Sequence, residues 1–173
     1  MNLAYSADNL APELLWTGKF IDGTPKWVDR GTDNNPPAGE NVLTPTKTRF
    51  LPENAKFKGY KLDSAGNPTF IVQIGKQILR ETWTASDAPD TGASTRQPAL
   101  TRTLTVTGEG PPLDIVISDQ VAAELYDDQE YKFDGTFFIR TEGAGESIRT
   151  RDGKTHLMLS SGGGVTLSYR WKK

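Results

Sequence analysis

Cysteine is absent from this chain of 173 residues, and histidine occurs once. The first absence removes disulfides, thiolate metal ligands, cysteine nucleophiles and covalent haem attachment together. It leaves the redox compartment open. The single His156 excludes a histidine-rich metal cluster and argues against a histidine-based catalytic triad. No run of about 18 apolar residues occurs, so the sequence offers no helix that would span a bilayer, and no membrane partner is expected. Twenty basic against 22 acidic residues give a net charge of −2, and the lysines and arginines form no stripe. Nucleic acid is therefore not an expected partner. The opening MNLAYSADNLAPELLW lacks a charged segment followed by an apolar one, so no signal peptide is expected in this chain.

Glycine and proline are plentiful, at 17 and 11 residues, and apolar residues make up only 35%. That balance suits short strands joined by many turns. The clearest unit runs from Phe57 to Trp83 and reads as three strands, Lys56–Asp63, Pro68–Gly75 and Lys76–Thr84. Asp63-Ser64-Ala65-Gly66-Asn67-Pro68 supplies turn chemistry between the first two. Further alternating runs lie at Leu14–Ile21, Leu100–Gly108, Leu113–Ser118, Tyr131–Thr141, Ser147–Arg151, Thr155–Ser160 and Gly164–Lys172. Asp134-Gly135 reads as a bulge or bend, Asp119–Asp128 as a helical turn or a strand, and residues 1–13 as a lead-in. The expectation is an all-β, antiparallel two-sheet sandwich over residues 14–173, with about ten strands and at most one short helix.

Motifs that carry chemistry are few. Gly162-Gly163-Gly164 precedes a strand and no helix, so it reads as a turn rather than a phosphate loop. Glu81, Asp114, Asp134 and Glu142 are the carboxylates that a histidine-free hydrolase or lyase would draw on, but no spacing pairs them. Asp29, Asp33, Asn34 and Asn35 gather oxygen donors in one loop, which reads either as solvated turn residues or as a calcium site outside the EF-hand pattern. No other cofactor is expected.

The aromatics are more informative. Trp16 and Trp171 fall in phase with apolar neighbours and read as core. Trp27 and Trp83 lie among polar residues. Exposed indole rings beside fixed polar groups are what a sugar-binding face needs, so Trp27, Trp83, Asp29, Asn34, Asn35 and Arg80 form the candidate ligand site. Plugs at the ends of the sandwich are the alternative reading of both rings.

Three pieces of the chain, WTGKFIDGTPKW…DRG with PPAGENV, GYKLDSAGNPTF and VTLSYRW, span Trp16 to Trp171. In these the chain resembles an accessory module of large secreted bacterial c-type cytochrome and haem-binding proteins, where it adjoins cytochrome domains and often a sugar-dehydrogenase-like propeller. The resemblance implies an excised β-sandwich, secreted or periplasmic, serving a carbohydrate-degrading or carbohydrate-oxidising assembly. It implies no haem in this chain, because the attachment motif is missing. A polysaccharide-binding accessory role is thus the leading expectation, with a polysaccharide or oligosaccharide and neighbouring domains as partners. A structural domain that orients a cytochrome or dehydrogenase neighbour is the second reading, and a carboxylate-based glycan hydrolase or lyase the third.

Overall fold

The computed structural model describes residues 1–24, 27, 35–47, 49–88, 97–122, 124–127, 130–133, 137–143 and 148–171. Within them the chain is all-β. The strands are β1 (Asn2–Ser6), β2 (Ala11–Thr17), β3 (Glu40–Leu43), β4 (Ala55–Leu62), β5 (Pro68–Ile74), β6 (Gln77–Ala88) and β7 (Gln97–Thr107). They continue as β8 (Leu113–Ser118), β9 (Glu124–Asp127), β10 (Glu130–Phe133), β11 (Phe137–Glu142), β12 (Ile148–Arg151), β13 (Lys154–Leu159) and β14 (Gly164–Trp171). An eight-stranded antiparallel sheet, in the order β4-β5-β6-β7-β14-β11-β10-β9, forms one layer of the sandwich. Two three-stranded sheets, β1-β2-β3 and β12-β13-β8, supply the other side of a shared core.

Period-two alternation builds that core. On the large sheet Val72, Leu79, Leu104, Val106, Val165 and Leu167 are buried, and they meet Leu15 from one small sheet and Ile115, Ile117 and Leu157 from the other. The opposite face of the large sheet is rich in threonine. Thr69, Thr82, Thr103 and Thr166 stand in register across β5, β6, β7 and β14. Their β-branched stems suit the pleat, and hydroxyl pairs such as Thr69–Thr82, at 2.9 Å, tie neighbouring strands.

The Phe57–Trp83 block folds as the sequence indicates, into β4, β5 and β6. Asp63 organises its turn: one carboxylate oxygen accepts the backbone N–H groups of Ala65 and Asn67, and the other accepts the Asn67 side-chain amide. The bonds from Asn67 hold the Asp63 carboxyl below the usual range. Strand β4 lies at the sheet edge, where Lys56, Lys58, Lys61 and a register break between Phe57 and Gly59 oppose pairing with another edge.

Three expectations need correction. Residues 1–13 are no lead-in: β1 and the start of β2 pair as a hairpin, and Leu10 and Ala11 are buried in the core. Tyr131–Thr141 divides into β10 and β11 instead of forming one strand, Glu40–Leu43 is a further strand, and of the two readings of Asp119–Asp128 the strand holds, at Glu124–Asp127; with β1 these raise the count to fourteen among the described residues. The runs read as Lys76–Thr84 and Leu100–Gly108 extend further, as β6 and β7, which pair as far as Ala88 and Gln97. The bend read at Asp134-Gly135 lies outside the described residues.

The connection from β7 to β8 shows how tightly the turns are specified. Buried Gln77 donates to the Pro111 carbonyl (3.0 Å) and to Ser161 Oγ (3.1 Å), and Ser161 donates to the Gly108 carbonyl. Gly108 has φ +92°, and a Cβ there would overlap the Lys76 carbonyl oxygen. Gly108→Ala is expected to cost about 1–3 kcal/mol in chemical denaturation, the scale of local backbone strain. A loss under about 0.5 kcal/mol, the scale of an ordinary surface change, would show that this turn relaxes freely.

Candidate functional site

Strand alternation brings two charges into the core. Glu81 and Trp83 are two residues apart on β6 and share its buried face, and the register sets Arg102 of β7 opposite Trp83. Both ionic side chains are fully enclosed, with Arg102 Nε 2.9 Å from Glu81 Oε1. The Trp83 indole N–H donates to the same oxygen at 2.7 Å, and Arg102 Nη1 donates to the Tyr169 hydroxyl at 3.1 Å. The guanidinium also lies over the Phe50 ring, 4.2 Å from its centroid, and near the Trp83 ring at 5.4 Å. Burial works against the charged guanidinium, but Glu81 and Tyr169 together outweigh it, and the Arg102 proton is held more tightly than usual. Burial raises the Tyr169 hydroxyl, partly offset by Arg102. Burial, reinforced by Glu81, raises Tyr5 as well. Glu81 Oε2, Arg102 Nη2 and the Tyr5 hydroxyl are enclosed without a hydrogen-bond partner among the described residues.

Above this pair opens a cleft of about 460 Å³, within the size range of small-ligand sites. Leu3 and Tyr5 of β1 line one side, and Asn67, Pro68 and Phe70 at the β4–β5 turn line another. Trp83 and Leu100, both buried, close its inner side. Tyr5 stacks on Phe70 with centroids 3.8 Å apart and planes within 7°. Phe20, also on the lining, is 57% exposed and stacks on Trp16 at 5.5 Å. The Trp16 indole is anchored to the carbonyls of Lys19 and Phe20, which fixes that pair of rings. Polar groups reach the cleft from Asn2, Asn67 and Thr84. Two of them are oriented: the Asn2 amide donates to the Gly18 carbonyl at 3.0 Å and the Asn67 amide to Asp63. No Asp, Glu, Lys, Arg or His side chain is among the described lining residues, although Met1, with its amino group, is one of them.

Of the six residues expected to form the site, Trp27, Asn35, Arg80 and Trp83 are described, and their settings differ. Trp27 is 90% exposed, whereas Trp83 is only 1% exposed. Trp83 is therefore no open platform, because its ring packs 5.4 Å from Tyr169 and its N–H is satisfied by Glu81. Arg80 points to the opposite face of β6 by alternation and donates to Thr107 Oγ1 at 3.1 Å. Asn35 is half-buried, with its side-chain oxygen enclosed and unpartnered among the described residues, while Asp29 and Asn34 lie outside them. Asp33 of the same oxygen-donor loop is also outside.

Of the carboxylates weighed for catalysis, Glu81 is held by Arg102, and Asp114 by His156 Nδ1 (2.7 Å) and Arg151 Nη2 (2.6 Å). Glu142 is exposed and Asp134 lies outside the described residues. What the sequence reading missed is the cleft itself and the Glu81–Arg102 pair beneath it. One signal was present: both charges fall at core positions, Glu81 between Leu79 and Trp83 and Arg102 between Leu100 and Leu104. Comparison with known protein families, curated proteins and solved structures finds no match for this chain.

Proposed function

We propose that the protein is a non-catalytic carbohydrate-binding module and that the cleft takes a sugar ring of a neutral polysaccharide. The observation that carries this reading is the exposed Phe20 ring, braced by Trp16, beside a cleft with oriented amides and no charged side chain on its described lining. A pyranose presents an apolar C–H face that an aromatic ring covers, and a rim of hydroxyls that amides and threonine hydroxyls bind. The resemblance noted in the sequence supports a secreted or periplasmic setting beside other domains.

Phe20→Ala is expected to weaken binding of a neutral polysaccharide about 3- to 10-fold in calorimetric titration, the scale of one aromatic contact. Unchanged affinity would remove the cleft from the site. If the unaltered protein binds no glycan, the reading itself fails and a role in docking neighbouring domains takes its place.

A further inference from the structure

The aromatic surface does not end at the cleft wall. The β4–β5 register sets Tyr60 opposite Phe70, with ring centroids 6.3 Å apart and planes inclined at 50°. Tyr60 is 61% exposed, and Leu62, two residues further along the same strand face, is 60% exposed. Phe70 lines the cleft, so Tyr60 is the next ring outward from it. The strand that carries Tyr60 is ill suited to a second copy of the chain, because its lysines and its register break oppose edge-to-edge pairing. It is also held in place, since the Asp63 bonds fix the turn that follows Leu62. A ring fixed before binding loses little freedom when a ligand stacks on it.

Resting on the reading of the cleft as a sugar site, we infer that Tyr60 is a second stacking subsite outside it. The ligand is then a saccharide chain whose consecutive rings meet the cleft and Tyr60, rather than a single sugar. Tyr60 stands beside the cleft-lining Phe70, and its exposed ring leaves a face free for the chain to continue.

The test is calorimetric titration with β-linked gluco-, manno- and xylo-oligosaccharides, each from the monosaccharide to the hexasaccharide. The unaltered protein should bind one series with affinity that rises with chain length. Tyr60→Ala should remove that rise, weakening the longer members about 3- to 10-fold while leaving the shortest binder unchanged. Tyr60→Phe keeps the ring and should behave like the unaltered protein. Affinity independent of length, or Tyr60→Ala binding like the unaltered protein at every length, overturns the second subsite and leaves the cleft reading standing. Absence of binding across all three series overturns both.

Discussion

Arg102→Met is expected to lower the stability of the fold by about 3–5 kcal/mol, because it leaves Glu81 as an enclosed carboxylate without its counter-charge. The methionine fills much of the volume of the arginine stem, so the loss reports chiefly on charge. The geometry behind the prediction is specific: complete burial of both partners, a 2.9 Å separation, and an indole N–H on the same carboxylate oxygen. The double variant Glu81→Gln/Arg102→Met should recover most of the loss, since removing both charges of a buried pair is often close to neutral. Urea denaturation of the two variants measures the difference. A loss below about 1 kcal/mol for Arg102→Met would mean that the pair behaves like a solvated surface bridge.

Trp83→Ala carries an effect of similar size for a different reason. Truncating a fully enclosed tryptophan costs about 3–5 kcal/mol through lost contacts and the cavity left behind. Trp83→Phe keeps much of the ring and drops one of the two bonds to Glu81 Oε1, which still meets Arg102 Nε, so it should cost about 1.5–3 kcal/mol, the scale of a hydrogen bond to a charged group. Trp27→Ala, at a 90% exposed ring, should stay within about 0.5 kcal/mol. Thermal denaturation of the three variants separates a structural indole from an exposed one. If Trp83→Ala leaves stability intact and abolishes sugar binding, Trp83 is a binding platform and the description of the core is wrong.

The fold class was legible in the sequence because period-two alternation and turn chemistry act locally. The GYKLDSAGNPTF hairpin needs only Asp63, Gly66 and Asn67 to reverse the chain, and the structure uses these residues. Strands whose alternation is weak escaped notice. In β1 all five residues are half-buried, because the strand packs at the margin of the core, and no clean apolar face marks it. The site was less legible than the fold. Polar neighbours made Trp83 look exposed, but Glu81 is itself buried, and its partner Arg102 is 21 positions further along the chain. The partnership depends on the β6–β7 register, which short-range pattern does not supply. The cleft is more distant still, since it joins β1, the segment after β2, the β4–β5 turn and β6.

The four indole N–H groups provide the most direct test of the central claim. Trp83 closes the inner side of the cleft, Trp16 braces the exposed Phe20, and Trp27 is the exposed ring of the site first expected from sequence. Their signals in ¹⁵N-correlated spectra would be followed during titration with the neutral oligosaccharide that binds best. The cleft reading requires saturable shifts of the Trp83 and Trp16 indoles with one shared affinity and a stationary Trp27. Movement of Trp27 alone, or of no indole at saturating ligand, would contradict it.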